Sequence, residues 1–280
     1  MTESRLRADA LTLAYDRRVV VRDLDVQLTD GSFTVIVGPN ACGKSTLLRS
    51  LARVLKPQSG AVYLDGQTIA SQPSKQVARQ LGMLPQSSVA PGGIVVEELV
   101  ARGRFAHQRL LRQWSPQDEA AVADAMRQTE VTELADRFVD ELSGGQRQRV
   151  WLAMALAQQT PILLLDEPTT FLDLSHQFEV LDLCADLHEQ GRTVVAVLHD
   201  LNHACRYATE LIVMREGRVL AQGAPAAVMT AELVETVFAM PCRVMTDPET
   251  QTPMVVPAGR QRRRMARAGV VAKPVDRVPA

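Results

Sequence analysis

The chain has 280 residues, of which 46% are hydrophobic, 22% charged and only 4% aromatic, enough for one large α/β domain and a subdomain around an aliphatic core. Its formal net charge of −1 hides an uneven split: seven of the 31 bases (Arg260, Arg262, Arg263, Arg264, Arg267, Lys273 and Arg277) but only one of the 32 acids, Asp276, lie beyond Ala258, which leaves residues 1–258 at −7. An acidic body speaks against wholesale nucleic-acid binding, and four scattered cysteines (Cys42, Cys184, Cys205, Cys242) make neither a disulfide framework nor a zinc site, which suits a reducing cytosol.

The first ten residues, MTESRLRADA, lack the apolar stretch of a signal peptide. Residues 8–37 predict strands: Leu11, Leu13 and Tyr15 alternate, as do Leu24, Val26 and Leu28, and Asp30-Gly31 marks a turn. Phe33–Val37 is a nearly continuous apolar run, the pattern of a strand buried on both faces. It leads into a glycine-bearing loop and a helix expected from Lys44 to about Val54. A strand over Gly60–Leu64 then precedes an Asp65-Gly66 turn. From about Ser87 to Arg149 the texture becomes helical. Val95, Val96, Leu99 and Val100 have helical spacing, and Ser115-Pro116-Gln117-Asp118 offers an N-cap, a proline at the first helical position and an acid at the third. Pro161–Asp166 reads as a second buried strand. Ser175 is expected to cap a helix with Phe178, Leu181, Cys184 and Leu187 on one face and Gly191 at its end. Thr193–Leu198 and Leu211–Met214 complete the buried strands, the latter followed by a Glu216-Gly217 turn. None of these runs approaches the ~20 residues needed to span a bilayer, so any membrane role is expected to go through a partner. The alternation predicts an α/β fold with a mostly parallel sheet, interrupted by a helical insert.

Gly38-Pro39-Asn40-Ala41-Cys42-Gly43-Lys44-Ser45, followed by Thr46, is G-x-x-x-x-G-K-S between a buried strand and a helix, the context in which the pattern acts as a phosphate-binding P-loop. The glycines let backbone N–H groups converge on one point, and the helix N-terminus adds partial positive charge. Lys44 brings a full charge to the terminal phosphates of a nucleotide, and the Ser45 hydroxyl suits Mg²⁺. The blander alternative is a glycine turn beside a surface lysine. The strand Ile162–Leu165 ends in Asp166-Glu167, two carboxylates that are costly to bury without counter-charge. A Mg²⁺-nucleotide would supply that charge, with Asp166 as the metal's partner and Glu167 placed to orient and polarise an attacking water. Acids that merely end a strand in solvent are the alternative.

Leu142-Ser143-Gly144-Gly145-Gln146, ahead of Asp166, resembles the signature motif of the ABC ATPase superfamily. Its two glycines open a helix expected from Gln146 to Ala157, a second anion-binding N-terminus. Gln86, Asp173 and His199 are similar, in the family's order, to its Q-loop, D-loop and switch histidine, and Tyr15 stands where the family places an aromatic against adenine. The resemblance covers roughly residues 5–257. It implies a P-loop NTPase core (about 5–86 and 150–230) with an antiparallel β subdomain, a helical subdomain (about 87–149) and a short C-terminal extension (about 231–258); beyond it the basic tail (259–280) has too little apolar material to fold alone and is expected to be disordered. It also implies Gln86 as a metal ligand, and Lys44, Gln86, Glu167 and His199 in catalysis. A head-to-tail dimer follows, in which Ser143, Gly144, Gly145, Gln146 and Asp173 serve the partner's ATP. The further implied partners are integral membrane permease subunits at the cytoplasmic face of the membrane and, indirectly, a substrate-binding protein. The ATPase itself is not expected to touch the cargo.

Two departures stand out: Phe171 in Thr170-Phe171-Leu172-Asp173, where many relatives carry smaller residues, and Cys42 beside the second P-loop glycine. Cys42 adjoins Lys44 at a helix N-terminus, which favours a reactive thiolate, although it also serves simply as a small residue. Gly38–Leu48, Arg102–Gln108, Leu110–Asp118, Leu142–Gln158 and Phe171–Gln177 resemble the ATPases of ferric-siderophore importers, with vitamin B12 and haem importers as neighbours. So do residues 237–257. An apolar set (Val89, Ile94, Val95, Val96, Leu99) beside Gln86 is expected either to receive a helix of the membrane subunit or to form the insert's own core. A soluble ABC ATPase acting on DNA or ribosomes is the rival reading, but the chain has one cassette, no heptads and no Cys clusters. The tail is read either as a solubilising end or as a basic segment for anionic lipid.

Overall fold

In the computed structural model the described residues are 4–86, 89–108 and 114–260. Residues 109–113, where the Leu110–Asp118 stretch begins, and 261–280, nearly all of the basic tail, lie outside them.

Alternating apolar and polar residues make β1 (Leu6–Tyr15) and β2 (Arg18–Leu28) half-buried strands, joined by the tight Asp16-Arg17 turn that pairs Tyr15 with Arg18. The unbroken apolar run of β3 (Phe33–Val37) is buried at every position. After it come α1 (Lys44–Leu51), β4 (Ser59–Leu64), the short β5 (Gln67–Thr68), α2 (Ser74–Gln80) and β6 (Leu81–Leu84). α1 stops at Leu51, short of the expected Val54, because Arg53 adopts a left-handed φ of 61° and turns its guanidinium onto the Ala70 and Gln72 carbonyls.

The helical region comprises α3 (Val96–Ala101), α4 (Pro116–Gln128) and α5 (Gly144–Ala157). The Ser115–Asp118 capping box at the start of α4 is present as its spacing predicts. α5 begins at Gly144, two residues earlier than expected, because Ser143 and Gln146 form a capping box of their own, with Ser143 Oγ accepting from the Gln146 amide and Gln146 Oε1 from the Ser143 amide. Ile94, Val96 and Leu99 are 5%, 0% and 1% exposed and pack with Val122, Met126, Val150 and Trp151, so they are core of this region and not a docking surface, whereas Val89 is 93% exposed.

The remainder alternates: β7 (Ile162–Asp166), α6 (Leu174–Glu189), β8 (Thr193–Val197), α7 (Leu201–Tyr207) and β9 (Glu210–Arg215). β10 (Arg218–Gly223), α8 (Pro225–Val228), α9 (Ala231–Phe238) and the hairpin β11 (Cys242–Thr246) and β12 (Pro253–Pro257) follow. α6 is capped by Asp173, whose carboxylate accepts from the His176 amide, so the expected cap Ser175 sits inside the first turn and only donates to Asp173.

The main sheet has the order β10-β9-β3-β8-β7-β6, parallel except where β10 returns beside β9. Period-two alternation divides its side chains between two apolar layers. Val35, Leu163, Leu165, Val194, Ala196 and Leu211 face the helices, while Ile36, Ile162, Leu164, Val195, Val197 and Ile212 face α1 and the antiparallel sheet β2-β1-β4-β5. That two-sided burial explains why the sheet's strands read as continuous hydrophobic runs. It also places the C-terminal ends of β3, β7 and β8 side by side, where a parallel sheet gathers its ligand-binding loops.

Candidate functional site

At that edge the loop after β3 turns into α1. Gly38 passes so close to β9 that a Cβ there would stand 2.2 Å from the Met214 carbonyl oxygen, so no side chain is tolerated. Ala41 and Gly43 take left-handed φ values of 61° and 107°, which wraps the loop around a point in front of the helix. Lys44 is 5% exposed, and its ammonium donates to the Gly38 and Pro39 carbonyls at 2.8 and 3.0 Å. The charge is thus held over the loop's concavity.

Ser45 Oγ donates to Asp166 Oδ1 at 2.7 Å, tying the loop helix to the end of β7. Asp166 is fully buried and its Oδ2 has no hydrogen-bond partner. Burial pushes its carboxyl above the ordinary value, the Ser45 hydroxyl works the other way, and the neighbouring Glu167 charge adds to the rise. An orphaned carboxylate oxygen beside a hydroxyl fits a hard dication. Among the described residues there is no group of three or more His, Cys, Asp or Glu to hold a metal unaided. An ion here would need oxygens from a bound phosphate, the usual habit of Mg²⁺.

Glu167 has a φ of 55°, a strained setting for a non-glycine residue, and is 8% exposed. Its Oε1 lies 2.5 Å from His199 Nε2, and its Oε2 accepts from the Thr170 hydroxyl at 3.2 Å. Both oxygens are therefore oriented, which is the arrangement needed to align a water for attack.

A cleft of about 550 Å³ unites Tyr15, Asn40, Ala41, Gly43, Lys44, Ser45, Thr46, Gln86, Glu167 and His199 along its walls. Gly38, Pro39 and Asp166 do not line the cleft but are bonded to residues that do, the first two through Lys44 and Asp166 through Ser45. Cys42 is 5% exposed and packs among Leu47, Leu48 and Val21, and burial raises its thiol above the ordinary value against a weaker opposing pull from Lys44. Of the two readings of Cys42, this supports the small buried residue over the reactive thiolate, since desolvation outweighs the nearby charge. Arg18 and Val20 also line the cleft, although no sequence motif marks them. The Tyr15–Arg18 pairing at the hairpin turn was the available signal, since it puts both side chains at one tip.

Ser143, Gly144, Gly145, Gln146 and Asp173 do not line that cleft. Ser143 and Gly144 are exposed, while the Gln146 carboxamide and the Asp173 carboxylate are engaged in caps. The amide of His176 and its ring together hold the Asp173 carboxyl below the usual range. Beside this patch Phe171 is 76% and Leu174 67% exposed.

The family model described as ABC transporter matches residues 21–170. The ferric enterobactin transport ATP-binding protein FepC of Escherichia coli (strain K12) is 56% identical over 93% of this chain and 97% of its own length. The achromobactin transport ATP-binding protein CbrD of Dickeya dadantii (strain 3937) is 54% identical over 90% and 94%. Among solved structures, an inward-facing metal-chelate type ABC transporter superposes with a TM-score of 0.78 at 28% identity, covering 92% of this chain and 99% of that one. The dimeric ABC transporter cassette MJ0796 gives 0.71 at 26% identity, over 78% and 98%.

Proposed function

The chain belongs to the ABC transporter family as an ATP-binding subunit, and from that premise we propose that it hydrolyses ATP to power import of a ferric siderophore through a membrane permease. The observation that carries the catalytic half is the convergence of Lys44, Ser45, Asp166, Glu167 and His199 on one cleft. The cargo half rests on the relatives, whose names span enterobactin, achromobactin and iron(3+)-hydroxamate import.

In this reading Tyr15 and Arg18 flank the nucleoside end of ATP at the β1–β2 tip. The amides of Gly38–Thr46 and the Lys44 ammonium take the phosphates. Ser45, Asp166 and Gln86 are the residues that would hold Mg²⁺, and the ion would supply charge neutralisation on the phosphate oxygens. Glu167 orients the attacking water, and His199, 2.5 Å away, holds the carboxylate in its working orientation. The start of α5 at Ser143–Gly145, exposed at Ser143 and Gly144, then serves the ATP of a second copy in a head-to-tail dimer. No helix among the described residues is long and apolar enough to cross a membrane. A permease partner at the cytoplasmic face, with a substrate-binding protein beyond it, therefore completes the proposed system.

The test uses the chain assembled with its permease in liposomes. Glu167→Gln should bind ATP as tightly as the parent while its kcat falls by about 100-fold or more. In cells lacking the chain, uptake of radioactive iron from ferric siderophores should fail while uptake from haem is unchanged. Parental turnover in Glu167→Gln would remove the assignment of the base, and unimpaired siderophore-iron uptake would remove the cargo.

A further inference from the structure

α7 joins the site to a part of the chain that has no part in the chemistry. It starts at its cap Asp200, the residue after His199, and Asp200 accepts from the Asn202 and His203 amides. With seven residues it is too short to be stable or oriented by itself, so its position is decided by what grips it. On one side that is α6. Tyr207 Oη donates to Asp182 Oδ1 at 2.6 Å, and the Phe178 ring meets the His203 ring edge-on at 4.9 Å and lies 5.6 Å from the Arg206 guanidinium.

On the other side is the β11–β12 hairpin. The Asn202 carboxamide accepts from the Val255 amide at 2.7 Å and donates to the Val255 carbonyl at 3.3 Å, so one side chain completes both backbone groups of a strand residue. Four residues on, Arg206 pairs with Asp247 at 2.8 Å in the connection between the two strands. Asp247 is prepared for that pairing, since its other carboxylate oxygen accepts from the Glu249 and Thr250 amides. Val255 and Cys242 carry the hairpin's inner face into the same apolar cluster as Ala204 and Cys205 of α7.

We propose that this C-terminal hairpin is a positioning clamp for ATP hydrolysis: by gripping α7 through Asn202 and Arg206, it sets where His199 stands relative to Glu167. The backbone of His199 is fixed from two directions. β8 fixes it through the Leu198 amide on the Ile36 carbonyl, and α7 fixes it through the Asp200 cap. The first hold belongs to the rigid sheet, and the second is only as firm as the contacts around α7. The His199 side chain is 47% exposed, so packing does little to hold the ring against Glu167. Asn202 and Arg206 act through His199 and touch no reacting atom; they are positioning residues. The inference rests on the proposed role of His199 in hydrolysis.

The experiment measures steady-state ATPase activity of the full chain assembled with its permease. Asn202→Ala and Arg206→Met should each lower kcat by about ten-fold, with KM for ATP within about two-fold of the parent, because misplacement of a catalytic group slows chemistry without weakening binding. Arg206→Lys, which keeps the charge on Asp247 and on the Phe178 face, should retain most of kcat. In a His199→Ala background Asn202→Ala should cause no further loss, a coupling that a general loss of structure would not show. Parental kcat in Asn202→Ala and Arg206→Met, or losses that add fully to that of His199→Ala, would overturn the clamp. Parental kcat in His199→Ala itself would instead overturn the role given to His199. If Asn202→Ala does not fold, the Arg206→Met and Arg206→Lys pair decides: equal loss in both overturns the clamp.

Discussion

Glu167 and Cys42 show how differently a residue's surroundings can treat what its neighbours in sequence suggest. Glu167 keeps both carboxylate oxygens engaged, by His199 and by the Thr170 hydroxyl, in a backbone setting that few side chains tolerate. The role proposed for it was suggested in sequence because a buried strand that ends in two acids needs a cation nearby. Thr170 was not legible as a partner, since only the turn after β7 brings its hydroxyl back over the carboxylate. Cys42 has a lysine two residues away and a helix N-terminus beneath it, yet it lies in the apolar layer under α1. Burial raises the thiol pKa, so the thiolate fraction near neutral pH falls. Burial likewise pushes Cys184 and Cys205 up to about 12. Native-state alkylation of Cys42 with iodoacetamide near pH 7.5 should therefore be slow with or without Mg-ATP, and fast only after denaturation. Rapid labelling of the native chain that ATP suppresses would overturn this.

At the scale of elements, the helical region hangs on a buried ion pair. Arg104 Nε donates to Asp118 Oδ1 at 2.8 Å with both side chains under a tenth exposed, and Arg104 Nη1 donates to the Ala157 carbonyl at the end of α5. One guanidinium thus ties the segment after α3 to the starts and ends of its neighbours. Burial by itself would raise the Asp118 carboxyl, but the Ser115 hydroxyl and Arg104 more than offset it and hold the group below its usual range. The folded pKa being the lower one, this contribution is present in full above the unfolded value of about 3.9 and is lost as pH falls through the folded value. Asp118→Asn should cost about 3 kcal/mol near neutral pH, as expected when one member of a buried pair is removed. It should also flatten the decline of stability below about pH 4. Denaturant melts at pH 7 and pH 3 check both, and equal parental and mutant stability at pH 7 would contradict the first. The capping box that contains Asp118 was visible in the spacing of Ser115 and Asp118. Its second task was not, because Arg104 lies outside any helical repeat with it and meets it only through the fold.

For the molecule as a whole, the exposed patch of Ser143, Gly144, Phe171 and Leu174 stands apart from the chain's own cleft. In the proposed head-to-tail dimer this patch would cover the phosphates bound by the other copy. Glu167→Gln with Mg-ATP should therefore sediment as a dimer. Adding Ser143→Arg, a bulky cation at the start of α5, should return it to the monomer without loss of ATP binding to the isolated subunit. A monomer in the first case, or a dimer in the second, would contradict the head-to-tail arrangement.

What the sequence determined by itself is whatever depends on short-range order: the strand–loop–helix of Gly38–Ser45, the buried strands read from their unbroken apolar runs, the Ser115–Asp118 capping box, and the succession of Gln86, Ser143–Gln146, Asp166-Glu167, Asp173 and His199. Tertiary structure alone decided which of these meet. Parallel pairing of β3, β8 and β7 sets Lys44, His199 and Glu167 around one cleft although they are far apart in the chain. The same packing turned Cys42 inward and committed Ile94, Val96 and Leu99 to the core. It also laid the C-terminal hairpin, whose strands carry only a weak pattern, against the helix that follows His199. The reason is physical: periodicity and capping act over a few residues, whereas burial and the pairing of distant strands are properties of the closed chain.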